Sequence, residues 1–421
     1  MRDPRRGFER LVLLVATALL ATLALAAASA HAVIVQVGKS TLSYLPARGG
    51  SVHGNSPKGS PLEYHGGPIM HSNTNYTLYW DPSGGSAYPA GYQAGLNKYF
   101  EDVAHDSGGL LNIDSVLAQY GDGGGEFAVY NSHFGGALSD TNAYPANGCS
   151  EAAICLTDEQ LRAEVKSYVE AHALPADLQH AYYVLTPPGV ESCLEALGRN
   201  CSAGTKHVKY CAYHGAIALA KGVIVYANDP YVNGLNCDTG EEHPNNNAFD
   251  ATIGGGLAHE HSEAITDPQL NAWYDAKHEE VADKCRTLKV SSEFGEPLGK
   301  APDGANYNQV INADLYWYQQ VWSNSAGACE QRAAARPAVT KIAPKSGHAR
   351  GGTPVTIFGA NFTAPATVAF GANAASGVTV NSSGSISAVS PPGSIGTVQV
   401  TVTTSAGTSA ITKKDRFKYK R

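Results

Sequence analysis

The chain has only two methionines in 421 residues, and Asp, Glu, Lys and Arg together make up 16% of it. Basic clusters are missing too. The tail Lys413-Lys414-Asp415-Arg416 is the one short exception, and the formal net charge is −7. That balance argues against nucleic acid as a partner. No Cys-x-x-Cys pair occurs, so the usual spacing of a zinc-thiolate cluster is absent. Past the first thirty-odd residues no run is apolar enough to span a bilayer, so no transmembrane segment is expected in the mature chain. Scarce methionine beside 22 tyrosines suits an exposed, oxidation-tolerant protein.

The one long apolar run lies at the N-terminus. Arg2, Arg5 and Arg6 precede a Leu/Ala/Val stretch from Leu11 to Ala28, and Ala30-His31-Ala32 supplies a small-x-small pattern. Residues 1–32 therefore read as a secretory signal peptide cleaved after Ala32, with an uncleaved anchor as the rival. Secretion to the extracellular space or cell surface follows. In that compartment the eight cysteines are most simply four disulfides. The expected pairing joins sequence neighbours, Cys149–Cys155, Cys193–Cys201, Cys211–Cys237 and Cys285–Cys329, although sequence leaves other connectivities open.

Residues 33–63 are rich in Ser, Gly and Pro and read as a flexible lead-in. From 64 to 331 strand and helix patterns interleave, which predicts an α/β domain with a mixed sheet. Strands are expected at Tyr76–Trp80, Phe127–Tyr130, Ala181–Thr186 and Val223–Tyr226. Helices are expected over Ala90–His105, from the capping box Thr157-x-x-Gln160 to about His172, and from about Asp250 to Thr266, where Asp267-Pro268 stops the last. Residues 332–336 form a linker. From 337 to 421 helical periodicity vanishes, and Val, Thr and Ile alternate between regular turns, as in a small β-sandwich. There Ile342-x-Pro344-x-Ser346-Gly347, Gly351-Gly352-Thr353-x-Val355-Thr356-Ile357-x-Gly359-x-Asn361-Phe362 and Val368-x-Phe370-Gly371 closely resemble the IPT/TIG domain. So do Ser390-Pro391-Pro392 and Val398-x-Val400-Thr401-Val402. The resemblance implies an immunoglobulin-like fold acting as spacer or adhesive unit.

The chemically loaded stretch is Leu257-Ala258-His259-Glu260-His261-Ser262-Glu263. On a helix His259 and Glu263 share one face, within reach of a single ion. Glu260 sits beside that face as a general base. This is the HExxH zinc pattern with Glu in place of the second His, and the predicted cofactor is zinc. A bound metal would act as a Lewis acid on a carbonyl and acidify its water, with Glu260 taking the proton. The extra carboxylate makes that water less acidic and tilts the site toward harder ions. In the gluzincin peptidases a carboxylate further along supplies the third ligand, and Asp283 stands at that spacing. Glu280, His214 and Asp267 compete with it, in that order. His261 points elsewhere, to the surface or behind the ligands. The bland alternative is a charged helix face and no site.

A second resemblance covers most of 64–329. Tyr64-His65-x-Gly67-Pro68, Tyr210-Cys211-x-Tyr213-His214 and Asn236-Cys237 resemble the EXORDIUM/phosphate-induced protein family. So do His259-Glu260-x-x-Glu263, Asn271-Ala272-Trp273-Tyr274, Glu280-x-Ala282-Asp283-x-Cys285 and Gln320-x-Trp322-Ser323-Asn324. The family comprises secreted proteins of plant cell walls with bacterial relatives, and it carries His259, Glu260, Glu263, Glu280 and Asp283 over as matching positions. It supplies no reaction.

Other features weigh less. Gly254-Gly255-Gly256 reads as backbone packing, the stretch Asn73–Thr77 contains a glycosylation sequon, and Tyr316-Trp317-Tyr318 with Trp322 reads as core. Two functions are implied. One is an exported, zincin-like metallohydrolase, most plausibly a peptidase, acting on peptide or protein. The other is a non-catalytic extracellular protein that binds a cell-wall component and keeps a structural metal site.

Overall fold

A computed structural model describes residues 34–48, 60–202, 205, 208–232, 237–238, 242–286, 293–333, 336–362, 366–382, 384–404 and 407–421. The expected signal peptide, residues 1–32, lies outside them.

In chain order the first elements are β1 (Ile34–Val37), β2 (Ser40–Pro46), β3 (Glu63–Tyr64) and β4 (Asn73–Trp80). Helices α1 (Tyr92–His105) and α2 (Asp114–Leu117) come next, then β5 (Ser132–Asp140), β6 (Ile154–Thr157), α3 (Asp158–Ala171) and β7 (His180–Thr186). The chain continues through β8 (Val190–Cys193), β9 (Tyr210–Ala218), β10 (Val223–Pro230), α4 (Ala248–Thr252), α5 (Ala258–Thr266) and β11 (Trp273–Tyr274). Seven strands make one sheet in the order β1-β2-β9-β10-β7-β4-β5. Its β10-β7-β4-β5 half is parallel, while β1, β2 and β9 run antiparallel to their neighbours.

Side-chain alternation splits this sheet between two cores, because successive residues of a strand face opposite sides. Tyr183 and Leu185 of β7 and Val225 and Ala227 of β10 face α1 and α5. Tyr182, Val184, Ile224 and Tyr226 face α3. The aromatic run Tyr316–Tyr318 and Trp322 is buried on the α1/α5 side, so these rings are core. Helix α3 opens on the expected capping box, Thr157 accepting from the Gln160 backbone and Gln160 from that of Thr157.

Several expectations need correcting. The α/β reading holds only in part, since most regular structure is strand and helices are few. Residues 33–63 are not uniformly a lead-in: β1 and β2 form a hairpin at the end of the main sheet. Phe127–Tyr130 forms no strand, and the neighbouring ladder is β5. Phe127 and Val129 are half exposed, so their β propensity has no packing partner to act on. The sequon asparagine Asn75 is buried inside β4 and bonded to Asn73, where no glycan fits.

The four disulfides join the expected neighbours, Cys149–Cys155, Cys193–Cys201, Cys211–Cys237 and Cys285–Cys329. Residues 338–420 fold as two packed sheets. One orders Ala338–Ala343, Pro354–Ala360, Ser385–Val389 and Ser376–Ser382; the other is built on Gly396–Thr404 and Arg416–Lys420. Ile342, Ile357, Phe370, Val400 and Phe417 fill the space between them. Among the described residues no helix is long and apolar enough to cross a membrane.

Candidate metal centre

Helix α5 is the continuation of α4 through one π-helical turn, Ile253–Leu257, which carries Gly254, Gly255 and Gly256. A Cβ on Gly255 would lie 2.5 Å from the Cys237 carbonyl oxygen, and one on Gly256 2.7 Å from Cβ of Ala212. The glycines thus let the helix press onto β9 and the Cys211–Cys237 loop. A π-turn adds a residue to the helix and re-aims the side chains beyond it, a device common at functional sites.

Three elements then converge. Helix α5 supplies His259, Glu260 and Glu263, β9 supplies His214, and the turn through Asp283–Cys285 supplies Glu280 and Asp283. The Cys285–Cys329 disulfide and the bond from Trp322 N–H to the Val281 carbonyl (2.7 Å) hold that turn. His259 Nε2 lies 3.1 Å from Glu263 Oε1 and 3.4 Å from Asp283 Oδ1. His214 Nδ1 lies 3.0 Å from Glu260 Oε2, and its Nε2 lies 3.8 Å from Glu280 Oε1 and 3.4 Å from the Asp267 carbonyl. All of these residues are buried.

Hydrogen bonding assigns the protons. Gln319 donates its Nε2 to the Ala282 carbonyl (2.7 Å), so its Oε1 must accept from His259 Nδ1 (3.1 Å). His259 Nε2, on the far side of the ring, therefore faces the Glu263 and Asp283 carboxylates. Neither His259 Nε2, Glu263 Oε2 nor Asp283 Oδ1 has a hydrogen-bond partner. Buried polar atoms left this way are costly unless a cation or extra protons fill the gap.

The acidities reflect that crowding. Burial pushes Glu260 up to about 8, and burial followed by the Asp283 charge brings Glu263 to about 7. Burial and the Glu263 charge drive Glu280 well above its ordinary range. Burial favours neutral His259, but Glu263 and Asp283 outweigh it and raise His259 well above its usual value. Burial lowers His214 against the pull of Glu263, which leaves a neutral imidazole beside a protonated Glu260.

The donor set suits a divalent cation. Ligand atoms of His259, Glu260 and Glu263 lie within 4.8 Å of one another, as do those of His214, Glu263 and Glu280. The structure brings the expected trio His259, Glu263 and Asp283 together and sets Glu280 and His214 against the opposite side of Glu263. Asp283 Oδ2 accepts from the Glu280 N–H (3.1 Å), which leaves Oδ1 facing the centre. Asp267 is occupied otherwise: its Oδ1 accepts from the backbone of Asn271 and Ala272 and ends the helix. His261 is not at the surface. It is buried against Asp114, Asn73 and Asn75, away from the centre.

Two positions beside the candidate centre escaped the sequence reading. Gln319 is not titratable and belongs to no motif, so nothing in the sequence marks it. Asp229 lies buried at the end of β10 with both oxygens unpartnered, raised well above its ordinary range by burial and by Glu260. A lone buried acid ending an apolar strand was the available signal.

Comparison with known proteins bears on the C-terminal region. A family model for the IPT/TIG domain matches residues 337–419. No curated protein matches the chain. Solved structures similar to part of it include SGBP-B from a complex xyloglucan utilization locus in Bacteroides uniformis, with 22% identity over 24% of this chain and 26% of that one, TM-score 0.17. An auxiliary nutrient binding protein from Bacteroides ovatus shows 23% identity over 20% and 21%, TM-score 0.18. Gamma-CGTase from Alkalophilic bacillus clarkii shows 22% identity over 28% and 17%, TM-score 0.18. The chain thus spans about a quarter or less of these structures' lengths, and likenesses at that level carry no inference about its chemistry.

Proposed function

We propose that the protein is an exported, zincin-like metal-dependent hydrolase, most plausibly a peptidase, whose IPT/TIG module serves as spacer or adhesive unit. The observation that carries this reading is the buried His259 Nε2 set 3.1 Å from Glu263 Oε1 and 3.4 Å from Asp283 Oδ1, where a cation can replace the proton they share. His259, Glu263 and Asp283 would hold zinc, with Glu280 the alternative third ligand. When bound, the metal supplies Lewis acidity toward a carbonyl and makes water a better nucleophile at neutral pH. Gln319 fixes the imidazole's tautomer and ring plane. Glu260, one residue beyond His259, is the base, and His214 at 3.0 Å is the partner that can share its proton. The resemblance of 64–329 to the EXORDIUM family and the N-terminal signal pattern support export, as do four disulfides.

Elemental analysis of purified protein, beside His259→Ala and Glu260→Gln, tests the proposal. Zinc near one equivalent is expected in the wild type and in Glu260→Gln, with loss in His259→Ala and with peptide cleavage lost in Glu260→Gln. Absence of stoichiometric metal from the wild type would sink it.

A second reading has its own observation. Every group at the centre is buried, and closed sites are characteristic of structural metals, whereas catalytic ones keep an open position. On that reading the protein is a non-catalytic extracellular or cell-wall-binding protein. Metal retained in Glu260→Gln with no peptide cut by the wild type would favour it.

A further inference from the structure

We infer that residues 34–48 are a built-in occupant of the centre: β2 lies where an extended peptide would dock, and the edge of β9 beneath it is that peptide's docking surface. The inference rests on the hydrolase reading and gives a physical reason why the site is closed.

The sheet's connectivity points to it first. β1 pairs with β2, β2 pairs with β1 and β9, and β9 continues into the sheet through β10. Take the hairpin away and β9 becomes an edge strand with a free row of N–H and C=O groups. Such an edge accepts an extended chain by strand addition, with alternate side chains pointing into the site.

Register then puts β2 on the chemistry. Ser43 pairs with His214 and Leu45 with Ala212. Residues directly opposite on a ladder share a face, so Ser43 points the same way as the His214 imidazole. Ser43 lies near the Glu280 carboxylate and the Leu45 backbone near that of Glu260, although the Ser43 hydroxyl has no hydrogen-bond partner. Ser43 and Leu45 have no exposed surface. On the other face Leu42 and Tyr44 join the α3-side core. β2 therefore presents the small polar Ser43 to the His214 side of the centre, while Leu45 on the same face packs against Cys211, Cys237 and Val232.

The attachment is separable. All eight cysteines lie beyond residue 148, so no disulfide ties this segment down. Its C-terminal end is held by the packing of Leu45 and Ala47 beside the Cys211–Cys237 disulfide and by hydrogen bonds: Ala47 N–H to the Lys209 carbonyl (3.0 Å), Arg286 Nη2 to the Pro46 carbonyl (2.7 Å), and Arg48 to the Asp238 carbonyl (2.6 Å) and to Glu293 (3.1 Å). Arg286 also pairs with Glu293, so loss of Arg48 leaves that buried carboxylate a partner.

The test uses the full chain loaded with zinc, with the recognition sequence of a site-specific protease inserted between Gly50 and Ser51. Zinc transfer to a coloured chelator is measured before and after cutting, together with binding of a labelled synthetic peptide of residues 34–48 and cleavage of a peptide library. Transfer is expected to speed up by an order of magnitude or more once the segment has left, since it no longer waits on local opening. Added 34–48 peptide should restore slow transfer, and the same peptide carrying Ser43→Arg should not. In the uncut chain Arg48→Ala, which removes two anchors outside the centre, is expected to speed transfer several-fold. Unchanged transfer in both proteins, or a released body that does not bind the 34–48 peptide, overturns the inference. Faster transfer with rebinding but no library peptide cut upholds the occupancy and rejects the peptidase reading. If the uncut chain holds no zinc, the hydrolase reading fails, and peptide binding to the cut body decides the occupancy alone.

Discussion

Chelated protein is expected to lose stability as pH rises from 6.5 to 8, and zinc is expected to remove that loss. Glu260 has its folded-state acidity pushed up to about 8 from 4.5 by burial. A group raised in this way holds its proton in the native state while the unfolded chain releases it. Its contribution is fully present below the unfolded value and disappears as pH climbs through the folded one. Across 6.5 to 8 the loss from Glu260 alone is ~1.5–2 kcal/mol, taking ~1.36 kcal/mol per pH unit until the folded value is reached. Glu280 and Asp229, also raised, act with the same sign. His261, lowered to about 3 by burial, opposes the loss by only ~0.4 kcal/mol, gained near pH 6.5 where the unfolded histidine releases its proton. For a region of ~300 residues, at ~2.1 cal/mol/K per residue, the loss corresponds to a fall in Tm of roughly 2–3 °C. A bound cation neutralises the same carboxylates without protons, so the zinc form should be flat or rise. Differential scanning calorimetry at fixed ionic strength, with chelator or with zinc, measures both slopes. A chelated protein as stable at pH 8 as at 6.5 would refute the assignment of these acids to an uncompensated buried cluster.

Three further outcomes are expected. Gln319→Leu removes the acceptor that orients His259 and should weaken zinc binding about 10–100-fold, read by competition against a chelator, with the fold intact by circular dichroism. Cys285→Ser with Cys329→Ser should cost ~2–5 kcal/mol in denaturant unfolding and release the Asp283 turn, whereas an equal cost without any loss of zinc affinity would separate that turn from the centre. Gly256→Ala places a methyl group 2.7 Å from Ala212 Cβ and should destabilise by ~1–3 kcal/mol; a neutral result would show that α5 can shift away from β9.

Much of this was legible from local chemistry. The α3 capping box is a four-residue pattern and formed as read. The disulfides join sequence neighbours, two of them, Cys149–Cys155 and Cys193–Cys201, across separations of only 6 and 8 residues. The i, i+4 spacing of His259 and Glu263 put both on one helix face whatever the tertiary fold. The features that escaped were set by tertiary context. β9 reads Tyr-Cys-Ala-Tyr-His-Gly-Ala-Ile-Ala, with small residues of low strand propensity, and exists because β2 and β10 flank it and the Gly255–Gly256 contact needs little bulk there. The β1–β2 hairpin was hidden by the Gly/Ser/Pro composition of residues 49–61 just after it. Its own signal was present: Val35-Gln36-Val37 and Thr41-Leu42-Ser43 flank a tight turn in which Gly38 takes φ 60°. His214 reached the centre only through β9, which is why spacing along the chain ranked it below Asp283 and Glu280.

The central claim is that His259, Glu263 and an acid from 280–283 hold one cation. Anomalous diffraction at the zinc edge, from crystals of protein purified without added metal and then soaked in zinc, tests it most directly. One strong peak is predicted beside His259 Nε2 and the Glu263 carboxylate, with none there in His259→Ala. Crystals that show full zinc occupancy elsewhere and no anomalous peak between His259 and Glu263 would contradict it.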